Sequence, residues 1–189
     1  MFELINTLTH TFGPSGCEKK IASVIGDLLK DSVDEIRTTA MGNLLCVKRG
    51  TGKKIMLAAH MDEIGVIVSY IDDKGFLRFG NVGGLPPLII LGQRVVFENG
   101  TVGVIWYEED IDNMKNTKID KMFIDIGAGS REEAEKLVRV GDMGVFVGET
   151  AEQKGKIISK ALDDRIGCAV LIQLALSRPE TDNEIYYVF

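Results

Sequence analysis

Cysteine is too sparse and too scattered to staple this chain together. Cys17, Cys46 and Cys168 are the only three, an odd number with no Cys-x-x-Cys spacing. That excludes a disulfide framework and fits reduced thiols in a cytoplasmic protein. Long apolar runs are missing too: no stretch approaches the roughly 20 residues a membrane-spanning helix needs. The N-terminus carries Glu3 and no basic leader, so neither a secretory leader nor a membrane partner is expected. There is no excess of positive charge, since 22 Lys and Arg stand against 28 Asp and Glu for a net charge of −6. Nucleic-acid binding normally leaves a basic footprint, so no nucleic-acid partner is expected. Histidine occurs only twice, at positions 10 and 60.

What is present is ordinary for a globular protein. Of 189 residues, 45% are hydrophobic and 26% charged, enough to bury a core. Phe2 to Phe12 has apolar residues near helical spacing and predicts a short helix, broken by Gly13-Pro14. Ser15 followed by Glu18 has the pattern of a capping box, opening a second helix through about Lys30. Strands are expected at Val33–Arg37, Leu44–Lys48 and Lys54–Ala59. The texture then changes. Hairpins are expected around Asp72–Gly75 and Asn99-Gly100, with further strands at Met122–Ile126 and Gly144–Val147 and a short helix from Arg131 to Leu137. Closely spaced short strands with many glycines suggest a small β-barrel or sandwich. Helical texture returns from about Gly155. The expected class is therefore α/β, with a β-rich insertion over 68–154 interrupting a domain built from 1–67 and 155–189. The charged segment Glu108–Lys121 is expected to be a disordered loop. Gly83-Gly84 and Gly127-Ala-Gly129 lack the strand–loop–helix context of a nucleotide site, so no nucleotide cofactor is expected.

The most informative run is Lys54-Ile-Met-Leu-Ala-Ala-His60-Met-Asp62-Glu-Ile-Gly65. An apolar strand stops at a histidine, with a carboxylate two positions on. Side chains two apart on an extended segment point the same way, so His60 and Asp62 can share one side of a strand end. This suits a metal site in which one imidazole nitrogen binds the ion and a carboxylate takes the other ring N–H. Each residue also has a plainer reading, as a hydrogen-bonded histidine and a turn aspartate. Glu63 points away from His60 by alternation and receives no role. The best downstream donor is Asp163 in Ser159-Lys-Ala-Leu-Asp163-Asp164-Arg165, where Asp164 helps start a helix and Arg165 makes a structural ion pair. Asp163 by itself reads equally as a helix N-cap. His10 has a surface or packing role, and Cys168 lies on an apolar helix as a small core residue.

Taken together, Ser15-Gly-Cys-Glu18, Met41-Gly-Asn-Leu44, the His60–Gly65 block and Lys160-Ala-Leu-Asp163-Asp164-Arg165 resemble the N-terminal portion of the tetrahedral, glutamyl-type aminopeptidases. These are co-catalytic zinc peptidases, some of whose relatives are labelled endoglucanases. The resemblance implies a zinc-peptidase-like mixed-sheet domain interrupted by an inserted small β-barrel that serves homo-oligomer assembly. It implies two divalent metal ions, zinc first and cobalt or manganese as alternatives, acting on peptide substrates. His60 would bind one metal, Asp163 would bridge both, and Asp62 would join the catalytic set by orienting His60. Asp164 would stand behind the ligands, after a non-proline cis peptide. Ligating atoms of His60 and Asp163 are expected about 3 to 5 Å apart, at the carboxyl ends of neighbouring strands.

Family members continue beyond a strand like Glu184–Phe189 into two adjacent glutamates, one the general base and one a ligand, and then an aspartate and a histidine. The chain ends at Phe189, so the expectation is a truncated form that is inactive or nearly so by itself. A non-catalytic assembly or interaction module is the alternative. Glycan hydrolysis, a third reading, rests on the labels of relatives and would need paired carboxylates about 5 to 10 Å apart beside a sugar cleft.

Overall fold

A computed structural model of the chain describes residues 1–108 and 118–189. These fall into two compact units. Met1–Glu63 and Gly148–Phe189 form one, and Ile64–Val147 the other.

The first unit opens with helix α1, Phe2–His10, which buries Ile5, Leu8 and Thr9. It stops two residues short of Phe12 because Thr11 is already extended ahead of Gly13-Pro14. Helix α2, Lys19–Leu29, buries Ile21, Ile25 and Leu29, a stripe at helical spacing. The expected Ser15/Glu18 capping box does not form, and Glu18 is itself the N-cap with no side-chain capping bond. A turn intervenes: Cys17 N–H donates to Pro14 O at 2.8 Å, with Gly16 at φ +90° in its third position. That φ is what a type II turn demands there. It leaves Ser15 outside the helix, while Glu18 Oε1 accepts from Gly16 N–H at 2.5 Å. Strands β1 (Glu35–Thr38), β2 (Leu44–Lys48) and β3 (Lys54–Ala58) follow, close to their expected limits.

The second unit is a closed six-stranded barrel. Its strands are β4 (Gly65–Ile71), β5 (Leu77–Val82), β6 (Arg94–Phe97), β7 (Val102–Tyr107), β8 (Met122–Asp125) and β9 (Met143–Phe146). They close in the order β4-β5-β8-β7-β6-β9, which decides barrel over sandwich. Alternation places Val66 and Val68, Leu77 and Phe79, Val95 and Phe97, Ile105, Met122 and Ile124 in one core. A register shift between Val68 and Tyr70 interrupts that alternation in β4, and Ile71 resumes the inward side. Two short helices complete the unit. One is α3, Pro87–Ile90, which the sequence patterns do not announce; the other is α4, Arg131–Glu135, whose Ser130 side chain accepts from Glu133 N–H as expected. Residues 109–117 of the loop expected to be disordered lie outside the described residues, and Ile119–Lys121 forms a 3-10 turn.

The chain returns to the first unit through a hairpin of β10 (Ala151–Gln153) and β11 (Lys156–Ile158), where only the onset of helical texture is expected from sequence. Helix α5 spans Leu162–Leu176, and β12, Glu184–Val188, completes a sheet of order β1-β2-β12-β3. β12 runs antiparallel to β2 and parallel to β3, so the sheet is mixed. α1, α2 and α5 cover it through one core containing Leu8, Ile21, Ile25, Cys46, Cys168, Ala169, Ile172 and Tyr187. No helix among the described residues is long and apolar enough to cross a membrane.

Candidate functional site

The site sits where β3 ends. Ala59 N–H makes a last rung to Val188 O at 3.1 Å, and beyond it the chain leaves the sheet with His60 as the next residue. His60 Nδ1 lies 2.9 Å from Asp62 Oδ1. Its Nε2 lies 3.1 Å from Asp163 Oδ1, across 103 positions of sequence. Both imidazole nitrogens therefore face carboxylates. Burial pulls the imidazole's pKa down, but the Asp62 charge and the hydrogen bonds to both aspartates outweigh it and raise the pKa above its ordinary value.

Asp163 does not arrive from a strand end, as expected, but from the irregular start of α5. Its φ/ψ of −89°/110° and those of Asp164 at −115°/35° are non-helical, and the peptide between them is cis. The break is what exposes the side chain of Asp163, which is 97% accessible. Asp164 does not approach His60; its Oδ1 accepts from Gly167 N–H at 3.2 Å. That is the bond of an N-cap to the third helical position, so the regular helix begins at Arg165.

A buried ionic cluster lies beneath. Glu63 is 5% exposed, and its Oε2 is 2.5 Å from Lys160 Nζ. Its Oε1 lies 3.2 Å from Arg165 Nη2 at a geometry that makes no hydrogen bond, so the attraction there is ionic. Burial draws the Lys160 ammonium below its ordinary pKa despite the pull of Glu63. Arg165, fully buried, donates to the carbonyls of Met61, Leu8, Thr11 and Gly13. One guanidinium thus ties together the three segments that carry the site. The ion pair expected of Arg165 is present, and Glu63 points away from His60 as alternation requires.

Ser15 is the residue sequence reasoning missed. Its hydroxyl donates to Asp62 Oδ2, the oxygen His60 leaves unused. The Pro-Ser-Gly-Cys turn was the available signal, masked by its likeness to a capping box. Away from the site, His10 is exposed, with Nδ1 2.9 Å from Asn6 O. Cys168 is a buried core residue whose thiol is pushed up to about 12 by burial.

The donor set fits a divalent cation in chemistry. An imidazole whose Nδ1–H is taken by Asp62 presents the Nε2 lone pair outward, beside an exposed carboxylate. Atoms 3.1 Å apart can both lie about 2 Å from one point, the usual zinc–nitrogen and zinc–oxygen distance. Among the described residues no group of three or more His, Cys, Asp or Glu is placed to hold a metal. The geometry explains why: Asp62 meets the other ring nitrogen, away from Nε2.

Residues 42–189 match the model of the M42 glutamyl aminopeptidase family. The chain belongs to that family. A putative aminopeptidase of Acetivibrio thermocellus is 54% identical over 189 residues, covering 100% of this chain and 57% of the relative. Among solved structures, an aminopeptidase of the archaeon Desulfurococcus kamchatkensis superposes with a TM-score of 0.92 at 39% identity, over 99% of this chain and 54% of that one. The TET1 peptidase of Pyrococcus horikoshii, which can assemble into a tetrahedron or a large octahedral shell, gives a TM-score of 0.86 at 34% identity over 99% and 59%. The chain thus spans little more than half the length of these M42 relatives. The mixed α/β architecture with a closed barrel is theirs as well.

Proposed function

We propose that this chain serves the metal-dependent removal of N-terminal residues from peptides. His60 and Asp163 would be among the residues that hold two divalent ions, zinc first and cobalt or manganese as alternatives. The observation that carries the reading is the apposition of His60 Nε2 and Asp163 Oδ1 at 3.1 Å across 103 positions of sequence. Family membership supports the reaction class. When bound, the ions supply Lewis acidity and lower the pKa of water at the scissile carbonyl. The chain's own residues do the positioning. Asp62 holds the His60 proton on Nδ1, so that Nε2 is a lone-pair donor; Asp163 offers a carboxylate free of other partners in its own unit; Arg165 and Glu63 fix the backbone from which these side chains project. The general base and remaining ligands come from outside the described residues.

A hybrid in which residues 1–189 replace the matched part of the Acetivibrio relative tests this. It should hydrolyse aminoacyl chromogenic substrates at a rate near that of the relative and lose activity on chelation. His60→Ala or Asp163→Ala should lower kcat/KM by at least about 10²-fold, on the scale of losing a main catalytic group. A hybrid indifferent to both substitutions would refute the assignment.

We further propose that the two units are domains with separate tasks. The α/β unit carries the metal site, and the barrel serves assembly into a homo-oligomer. The assembly of the Pyrococcus relative supports this, as do the exposed barrel side chains Leu88, Ile89 and Trp106. The unit boundaries at Glu63/Ile64 and Val147/Gly148 fall before the sequence-based ones at 67/68 and 154/155, because β4 starts at Gly65 and the β10–β11 hairpin packs with the first unit. The few, scattered cysteines of the sequence fit a cytoplasmic location.

A further inference from the structure

We propose that Ser15 is a positioning residue for the metal site, acting through Asp62 on the tautomer of His60. The inference rests on the reading of His60 as a ligand and adds a residue to it. A carboxylate that orients a histidine has a weakness: its terminal torsion is broad and roughly two-fold, so one accepted hydrogen bond does not fix its plane. Asp62 lies past the end of β3, where no strand pairing holds it. Oδ1 meets His60 Nδ1 at 2.9 Å, and Oδ2 accepts the hydroxyl of Ser15. Held at both oxygens, the carboxylate has one plane, and the imidazole meets it in one orientation.

The hydroxyl comes from a fixed frame rather than a loose loop. Pro14 and Glu63 form an isolated parallel bridge, with Glu63 N–H donating to Gly13 O at 3.0 Å and Ser15 N–H to Glu63 O at 3.2 Å. The residue after Asp62 is therefore latched, backbone to backbone, to Gly13 and to Ser15 itself. Gly13 is closed in from behind: a Cβ there would come 2.6 Å from Ile21 Cγ2 and 3.0 Å from Arg165 Nη2. Pro14 fixes one more dihedral. Gly16, at φ +90°, lets the chain turn away toward α2 directly after Ser15. The sequence Gly13-Pro-Ser-Gly16 thus delivers one oxygen to one acceptor. Outer partners of this kind typically change metal affinity by about 10- to 100-fold.

The test separates positioning from general structural support. In 15N-labelled protein carrying His10→Gln, His60 is the sole histidine, and its ring nitrogens report the tautomer at a pH where it is neutral. The metal-free protein should show the proton on Nδ1. Ser15→Ala should move population toward the Nε2–H form and weaken zinc binding, followed through the same ring signals, by about 10-fold. Ser15→Thr, which keeps the hydroxyl, should restore both. If Ser15→Ala does not fold, Ser15→Cys, a weaker donor of similar size, carries the same expectation. A Ser15→Ala protein with the wild-type tautomer, or a Ser15→Thr protein that behaves like Ser15→Ala, would overturn the proposal. If zinc leaves His60 untouched in the wild-type chain, the ligand reading fails instead, and the metal-free tautomer still decides the role of Ser15.

Discussion

At the scale of single residues, the site is a chain of hydrogen bonds that runs to the far nitrogen of one imidazole. Ser15 holds Asp62, Asp62 holds Nδ1 of His60, and Nε2 faces Asp163. Removing the middle link by Asp62→Ala frees the imidazole to choose its tautomer. The zinc dissociation constant, read from the His60 ring signals, should then rise about 10- to 100-fold. An unchanged constant would remove Asp62 from the account. The cysteines give a second expectation. Burial pushes the Cys46 thiol up to about 11 and the Cys168 thiol up to about 12, so neither forms appreciable thiolate near neutrality, whereas Cys17 is partly exposed. Iodoacetamide should therefore label Cys17 alone in the native protein and all three after unfolding, as mass spectrometry would read it. Rapid native labelling of Cys168 would contradict its placement in the core. The pairing of His60 with Asp62 was legible because one of only two histidines closes an apolar strand two positions before a carboxylate, whereas Asp163 stood out only with the family resemblance. Ser15 was not legible, since a serine three residues before a glutamate fits a capping box equally well. Only the turn at Gly16, a three-dimensional fact, separates the two uses.

Elements explain how such residues come to be there. β3 stops because its last rung is made by Ala59, and the two carboxylates at the head of α5 divide the work between them. Asp163 stays off the helix and remains exposed, while Asp164 caps Gly167 N–H. Asp164→Ala should cost about 1 kcal/mol of stability, the usual loss for an N-cap, measurable as a lower urea midpoint at unchanged slope. No change would mean that the helix does not depend on this cap. Arg165, one position on, is the stronger support. It is fully buried against Glu63 and four carbonyls, so Arg165→Ala should destabilise by at least about 3 kcal/mol, read as a lower urea midpoint. The stranded carbonyls cost about 1 to 3 kcal/mol each, while Glu63 keeps Lys160. The strands and long helices were readable from periodicity, and the Asn99-Gly100 hairpin from its turn residues. The short α3 and the β10–β11 hairpin were not. Four- and three-residue elements carry too little periodic signal, and their stability comes from neighbours rather than from their own pattern.

On the scale of the whole molecule, the sequence predicted a mixed α/β layer interrupted by closely spaced strands, whose spacing left barrel and sandwich open while the family resemblance named a barrel. Closure of β4 onto β9 decides the matter, and such pairing between distant strands is invisible to local pattern. The proposed assembly role of the barrel predicts a homo-oligomer by light scattering, broken by charged substitutions such as Ile89→Glu. A monomeric wild-type chain would count against it. The central claim is narrower: one imidazole and one carboxylate, 103 positions apart, hold the same metal ion. Anomalous diffraction at the zinc edge from crystals soaked in zinc tests this most directly. The account predicts a peak about 2 Å from both His60 Nε2 and an Asp163 oxygen. A peak on neither residue, or zinc on His60 with Asp163 turned away, would contradict it.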